Sequence, residues 1–222
     1  MTTAFVEPPL TFPLSWTFGD IQQHLGGIPG SRVRVRPTPG QGTVRDVIEI
    51  DQREGRGCEL IDGVIVEKTV GYFESALACV LIRWIGNFID EKNLGIVLGE
   101  AGTLRILPGQ VRIPDVCFIS WDRIPNRELP SEPVPAIVPD LVIEIISPGN
   151  TPAEMERKLS DYFEAGVRLV WYIDSLSHSA RAWTSIHDCI SVDHDGFLEG
   201  GDVLPGFRVS LRELFVKASG AA

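Results

Sequence analysis

Pro139-Asp140-Leu141-Val142-Ile143-Glu144-Ile145-Ile146-Ser147, followed by Pro148-Gly149-Asn150-Thr151, decides the fold. Leucine, valine and three isoleucines in near-continuous succession read as a buried strand. Glu144 stands inside that run. A buried carboxylate is costly unless it is paired, hydrogen-bonded or bound to a metal. Thr151-Pro152-Ala153-Glu154 then opens a helix. Thr151 is a good N-cap, Pro152 suits the first helical position and Glu154 completes a capping box. The helix carries Met155, Leu159, Tyr162 and Phe163 toward the core, and Lys158 lies on or beside the same face. Gly166 ends it, and residues 168–174 form another apolar strand. A strand–helix–strand unit predicts two parallel strands.

Working outward, Val111-Arg112-Ile113-Pro114-Asp115-Val116-Cys117-Phe118-Ile119 is a strand holding a second embedded carboxylate, Asp115. Pro114 withdraws a backbone donor, which predicts an edge or bulge there. Strands at 95–99 and 103–107 precede it. A helix over residues 72–91 buries Leu77, Val80, Leu81, Trp84, Ile85, Phe88 and Ile89, with Glu74 at the edge of the stripe. Residues 58–67 form a hairpin around Asp62-Gly63. A proline-rich loop covers residues 120–139, and loops this long are often functional. Short strands at 180–184 and 189–192 and a helix at 210–215 close the chain. The order predicts an α/β fold, a mixed sheet flanked by helices.

Residues 1–50 are rich in proline and glycine and read as an N-terminal arm with one helix near 18–25. The main domain is then 51–217, with a tail at 218–222. Arg32-Val33-Arg34-Val35-Arg36 reads either as a phosphate-binding patch or, more plainly, as a solvated edge strand.

With 222 residues, 44% of them hydrophobic and 23% charged, the composition is that of an ordinary globular protein. No apolar run reaches the ~20 residues of a membrane span, and the N-terminus lacks the pattern of a signal peptide. These features point to the cytoplasm and to no membrane partner. Cys58, Cys79, Cys117 and Cys189 lack metal-ligand spacing. The formal net charge of −10 opposes non-specific nucleic-acid binding, which rests on neutralising phosphates.

Glu74, Asp115, Glu144 and Lys158 each sit where the pattern wants an apolar or core-facing residue. Two carboxylates on adjacent strands can hold a divalent cation through hard oxygens. Alternatively, Glu144 and Lys158 form one buried ion pair and Asp115 caps a local turn. The residues by themselves leave both readings open.

Pro114-Asp115, then Glu144 in a later buried strand, then the strand–helix–strand ending, resembles the PD-(D/E)XK nuclease superfamily. Glu59-Leu60-Ile61-Asp62-Gly63, Arg112-Ile113-Pro114-Asp115, residues 139–144 and Lys158…Tyr162…Gly166-Val167 together resemble the Uma family of putative restriction endonucleases, over about residues 58–215. The resemblance implies a restriction endonuclease-like core with a β-hairpin extension, in a homodimer. It implies Mg²⁺-dependent hydrolysis of DNA phosphodiester bonds, with Mg²⁺ or Mn²⁺ held by Asp115, Glu144 and the main-chain carbonyl of Ile145. Glu74 matches the acid of the first core helix, and Glu59 the glutamate that opens the hairpin. One departure matters: the superfamily lysine belongs at position 146, which is Ile146, so Lys158 would have to take its place. The alternative is a catalytically silent binding module on the same fold. A third option is a metal-dependent hydrolase of small phosphoesters.

Other candidates are weaker. Ser147 lacks the G-x-S-x-G surroundings of a nucleophile elbow. The loop 147–151 reads as capping more than anion binding. His187, Asp188, Asp193, His194 and Asp195 read as solvated loop. Trp84, Trp171 and Trp183 read as core or half-buried strand positions, not as base-stacking platforms.

Overall fold

The computed structural model describes residues 12–69 and 71–220. In chain order the elements are α1 (Phe18–His24), α2 (Val44–Glu54), β1 (Cys58–Ile61), β2 (Val64–Glu67), α3 (Tyr72–Lys92), β3 (Gly95–Gly99), β4 (Leu104–Leu107), β5 (Gln110–Arg112), β6 (Val116–Ser120), β7 (Leu141–Ile146), α4 (Pro152–Ala165), β8 (Leu169–Asp174), β9 (Ser179–Ser185), β10 (Asp188–Val192), β11 (Phe197–Glu199), β12 (Arg208–Ser210) and α5 (Leu211–Ser219).

A six-stranded sheet in the order β10-β9-β8-β7-β6-β3 forms the centre. Only β7 and β8 run parallel in it, because α4 crosses between them. Alternation along β7 sends Leu141, Ile143 and Ile145 to one face, against α3 and α5. Val142 and Ile146 go to the other face, against Met155, Leu159 and Tyr162 of α4. Burying each large apolar side chain contributes about 1.5–3 kcal/mol, so covering β7 on both sides fixes its register. Both capping-box hydrogen bonds expected at the start of α4 are present, with Pro152 in the first turn. By length and composition α3 could cross a membrane, yet Leu77, Leu81 and Ile85 are fully buried in the core, as expected of a central helix.

The expected strand over 111–119 is two strands in different sheets. β5 joins a four-stranded antiparallel sheet, β2-β1-β5-β4, while β6 belongs to the central one. The break falls at Ile113-Pro114-Asp115, where proline offers no N–H and the Asp115 carboxylate accepts from Ile145 N–H at 2.6 Å. The hairpin turns through Asp62 (φ 49°) and Gly63 (φ 73°). Gly63 is also where the chain touches itself: a Cβ there would lie 2.5 Å from the Gly40 carbonyl.

The basic segment at 32–36 is not a solvated strand. Arg32 is buried, and its guanidinium bonds both oxygens of Glu154 at 2.9 and 3.0 Å. Val33 forms only an isolated bridge to Val66. Helix α2, absent from the sequence reading, crosses residue 50 and buries Val47 against Cys58, Leu60 and Ile65. Its stripe, Val44, Val47 and Ile48, is short, and falls inside the stretch that proline and glycine content marked as an arm. Trp171 and Trp183 are buried and Trp84 is half-buried, as expected.

Candidate functional site

The site is built where β6 begins and β7 ends. Val116 pairs with Ile143 in antiparallel register, which sets positions 115 and 144 across from one another. The two carboxylates then diverge. Glu144 points to the α4 face, where its Oε1 accepts from Lys158 Nζ at 3.1 Å and from the Tyr162 hydroxyl. Asp115, already leaving the strand, turns its Oδ2 to Ile145 N–H and its Oδ1 to Lys68 Nζ at 2.9 Å. Lys68 Nζ also donates to the carbonyl of Ile113.

Lys158 serves a second acid. Its Nζ lies 3.1 Å from Glu59 Oε1, which also accepts from Ile113 N–H at 3.2 Å. Glu59 Oε2 accepts from Arg112 at 2.9 Å, and Arg112 reaches on to Asp161. The result is a continuous buried chain, Asp161–Arg112–Glu59–Lys158–Glu144–Tyr162. It ties the four-stranded sheet through α4 to the central one. Burial pushes Glu59 up, but Lys158, Arg112 and Lys68 overcome it and hold the carboxyl down to about 2. For Glu144 burial wins over the pull of Lys158 and Lys68, and its pKa is raised. Burial opposes the charge on Lys158, but Glu144 and Glu59 outweigh it and the amine stays an ammonium. Tyr162 is pushed far above its usual range by burial and by the Glu144 charge, so its hydroxyl remains a donor.

On the other side of Asp115 a small cleft is faced by Glu74, Glu100, Asp115 and Ile145, with about 10 Å³ of free space. That is roughly one water-sized particle. Glu74, in the first turn of α3, has its Oε1 2.8 Å from the Ser175 hydroxyl. A Cβ at Gly71 would overlap Glu74 Oε2, so the glycine makes room for this carboxylate. Among the described residues no three histidine, cysteine, aspartate or glutamate side chains converge as a ready cage. The chemistry of the donors still fits a hard divalent ion: carboxylates and a main-chain segment around a space of ionic size, the remaining ligands being waters.

The structure thus brings Asp115, Glu74 and Ile145 to one cleft, and Glu144, Lys158 and Glu59 to one buried network beside it. Lys68, Arg112, Asp161 and Glu100 escaped the sequence reading. Arg112 adjoins Ile113-Pro114-Asp115 and interrupts an apolar strand, a signal of the kind that exposed Glu144. Lys68 and Glu100 flank strands and carry no such signal.

A family model described as "Uma2: Putative restriction endonuclease" matches residues 44–212. Among solved structures, the crystal structure of a putative nuclease from Anabaena variabilis is similar. Its TM-score is 0.64 at 20% identity, covering 73% of this chain and 91% of that one. At this identity the likeness shows the fold. No curated protein matches the chain.

Proposed function

We propose, from the premise that this chain belongs to the Uma2 family of putative restriction endonucleases, that it is a metal-dependent endonuclease cutting DNA phosphodiester bonds. The observation that carries this reading is the juxtaposition at the β6–β7 strand ends. Asp115 and Ile145 share a cleft with Glu74, and register-opposed Glu144 sits on the adjoining face. Asp115, Glu74 and the Ile145 carbonyl, which line this cleft, would hold Mg²⁺ or Mn²⁺; Glu144, the other ligand the resemblance implies, lies outside that lining, held by Lys158 and Tyr162. When bound, such an ion acidifies a water and offsets charge on a phosphoryl oxygen.

The protein's own groups do the rest. Lys158 and Tyr162 fix Glu144 from two directions, so its carboxylate stays oriented without water. Lys68 is the ammonium nearest Asp115, placed to attract a phosphate oxygen. Ser175 orients Glu74, and Glu59 sets the charge and position of Lys158. A homodimer belongs to this reading, and sedimentation of the full chain tests it.

Calorimetric titration with Mn²⁺ is the direct test, comparing wild type with Asp115→Asn and pairing each with cleavage of supercoiled DNA. Metal binding and cleavage lost together support the reading, and unchanged metal affinity in Asp115→Asn refutes it. A second reading, the silent module, is favoured by one observation. Ile146 fills the usual lysine position, and Lys158 is held between two carboxylates. Wild type that binds DNA but never cuts it would support that alternative.

A further inference from the structure

We propose that Lys68 is the resident cation of the acidic cleft: its ammonium holds Asp115 until a divalent ion enters, and the ion displaces it into the cavity alongside. The ion is the one that the nuclease reading assigns to the cleft, on which this rests. Lys68 then sets how tightly that ion binds.

Both oxygens of Asp115 are engaged. Oδ2 accepts from Ile145 N–H at 2.6 Å, and Oδ1 lies 2.9 Å from Lys68 Nζ. The pair is shielded from water, the lysine side chain being 8% exposed and the aspartate 16%. Two cations competing for one carboxylate repel more strongly there than in bulk water. A divalent ion that takes Oδ1 has to move the ammonium.

The lysine is built to move. Its backbone is pinned, because its N–H donates to the Gly57 carbonyl at 3.0 Å. Its side chain is a flexible four-carbon stem ending in a compact charge. It also has a place to go. Lys68 lines a cavity of about 380 Å³ between the end of α2 and the β3–β4 turn. In that lining the acids Asp51, Glu67 and Glu100 outnumber the cations Arg56 and Lys68. Such a space favours an ammonium over an anion. Glu100 borders the cavity and the cleft alike, is exposed, and forms no ion pair among the described residues. An ammonium moved to Glu100 therefore stays at the edge of the cleft, where the phosphate contact proposed above is still open to it.

Two measurements test this, and neither reads DNA cleavage. Calorimetry with Mn²⁺ compares wild type with Lys68→Met, Lys68→Gln, Glu100→Gln and the double variant Lys68→Met with Glu100→Gln, each fold checked by circular dichroism. Both Lys68 variants should bind Mn²⁺ about tenfold more tightly, a usual size for coupling between two sites. Glu100→Gln should weaken binding about threefold on its own and change little once Lys68 is methionine, since the carboxylate acts by receiving the lysine. The second measurement needs no variant. Acetic anhydride labelling of wild type, read by mass spectrometry, should modify Lys68 several-fold faster in saturating Mg²⁺, because the walls of the cavity are exposed. Lys158, buried between two carboxylates, should stay slow with or without the ion. Mn²⁺ affinity that is unchanged or weaker in both Lys68 variants, or Lys68 labelling that does not rise with Mg²⁺, overturns the proposal and leaves the metal site standing. If wild type binds neither ion, the proposal and the nuclease reading fall together.

Discussion

Replacing Lys158 by methionine isolates the charge that the buried network depends on. Lys158 is 4% exposed at its side chain and touches Glu59 and Glu144, each at 3.1 Å. Removing one partner of a buried pair costs about 3–5 kcal/mol, because a charge is left unpaired. The two losses do not double that figure: Glu59 keeps Arg112, and Glu144 can take up a proton. For a chain of this size the expected fall in Tm is about 6–20 °C, at roughly 2–4 °C per kcal/mol. The pH dependence is the sharper signature. The pKa of Glu144 is already raised by burial above the ordinary 4.5, and losing Lys158 raises it further. An acid that binds its proton more readily folded than unfolded stabilises the fold below its unfolded pKa and loses that contribution as pH rises through the folded one. The deficit of the variant should therefore be full near pH 8 and shrink toward about pH 5. Urea denaturation at both pH values measures it. A deficit below about 1 kcal/mol, or one independent of pH, would refute the reasoning.

Four further outcomes are expected. Tyr162→Phe removes one donor to Glu144 while leaving Lys158 in place, and should cost about 1–3 kcal/mol by denaturation. Glu59 has a folded pKa of about 2 against an ordinary 4.5, so its contribution is present above 4.5 and lost as pH falls toward 2; Glu59→Gln should flatten acid unfolding in that window. Arg32→Ala leaves Glu154 buried without its guanidinium, and should destabilise by about 3 kcal/mol and open the segment before α2 to proteolysis. Deletion of residues 1–42, the segment before the Thr43 cap of α2, should leave a chain that still melts cooperatively; loss of folding at every concentration would place that segment in the core.

Legibility tracked local signals. The α4 capping box, the Asp62-Gly63 hairpin and the α3 stripe are written in adjacent residues, and each stands where the pattern placed it. Glu144 was visible because charge inside an apolar strand is costly. Its Lys158 partner was visible because helical spacing put that lysine beside Met155 and Tyr162 on the core-facing side of α4. What stayed hidden depends on distance along the chain. Arg32 meets Glu154 across 122 residues, and nothing near Arg32 distinguishes it from an exposed arginine. Lys68 finds Asp115 only because a hairpin end and a strand break meet in space. The split of 111–119 between two sheets needed the Asp115–Ile145 contact, which Pro114 hinted at but could not specify.

The chain from Asp161 to Tyr162 fastens two sheets through the same side chains that hold Glu144 in place. On the nuclease reading, a lineage descending from this protein that gave up catalysis could shed Glu74, whose carboxylate meets the Ser175 hydroxyl, at less structural penalty than Asp115, which holds Ile145 and Lys68. It would still have to keep Glu59, Arg112 and Lys158, or replace them together. Persistence of those three in a sequence therefore testifies to architecture, and an intact Glu74 would be the better mark of a working site.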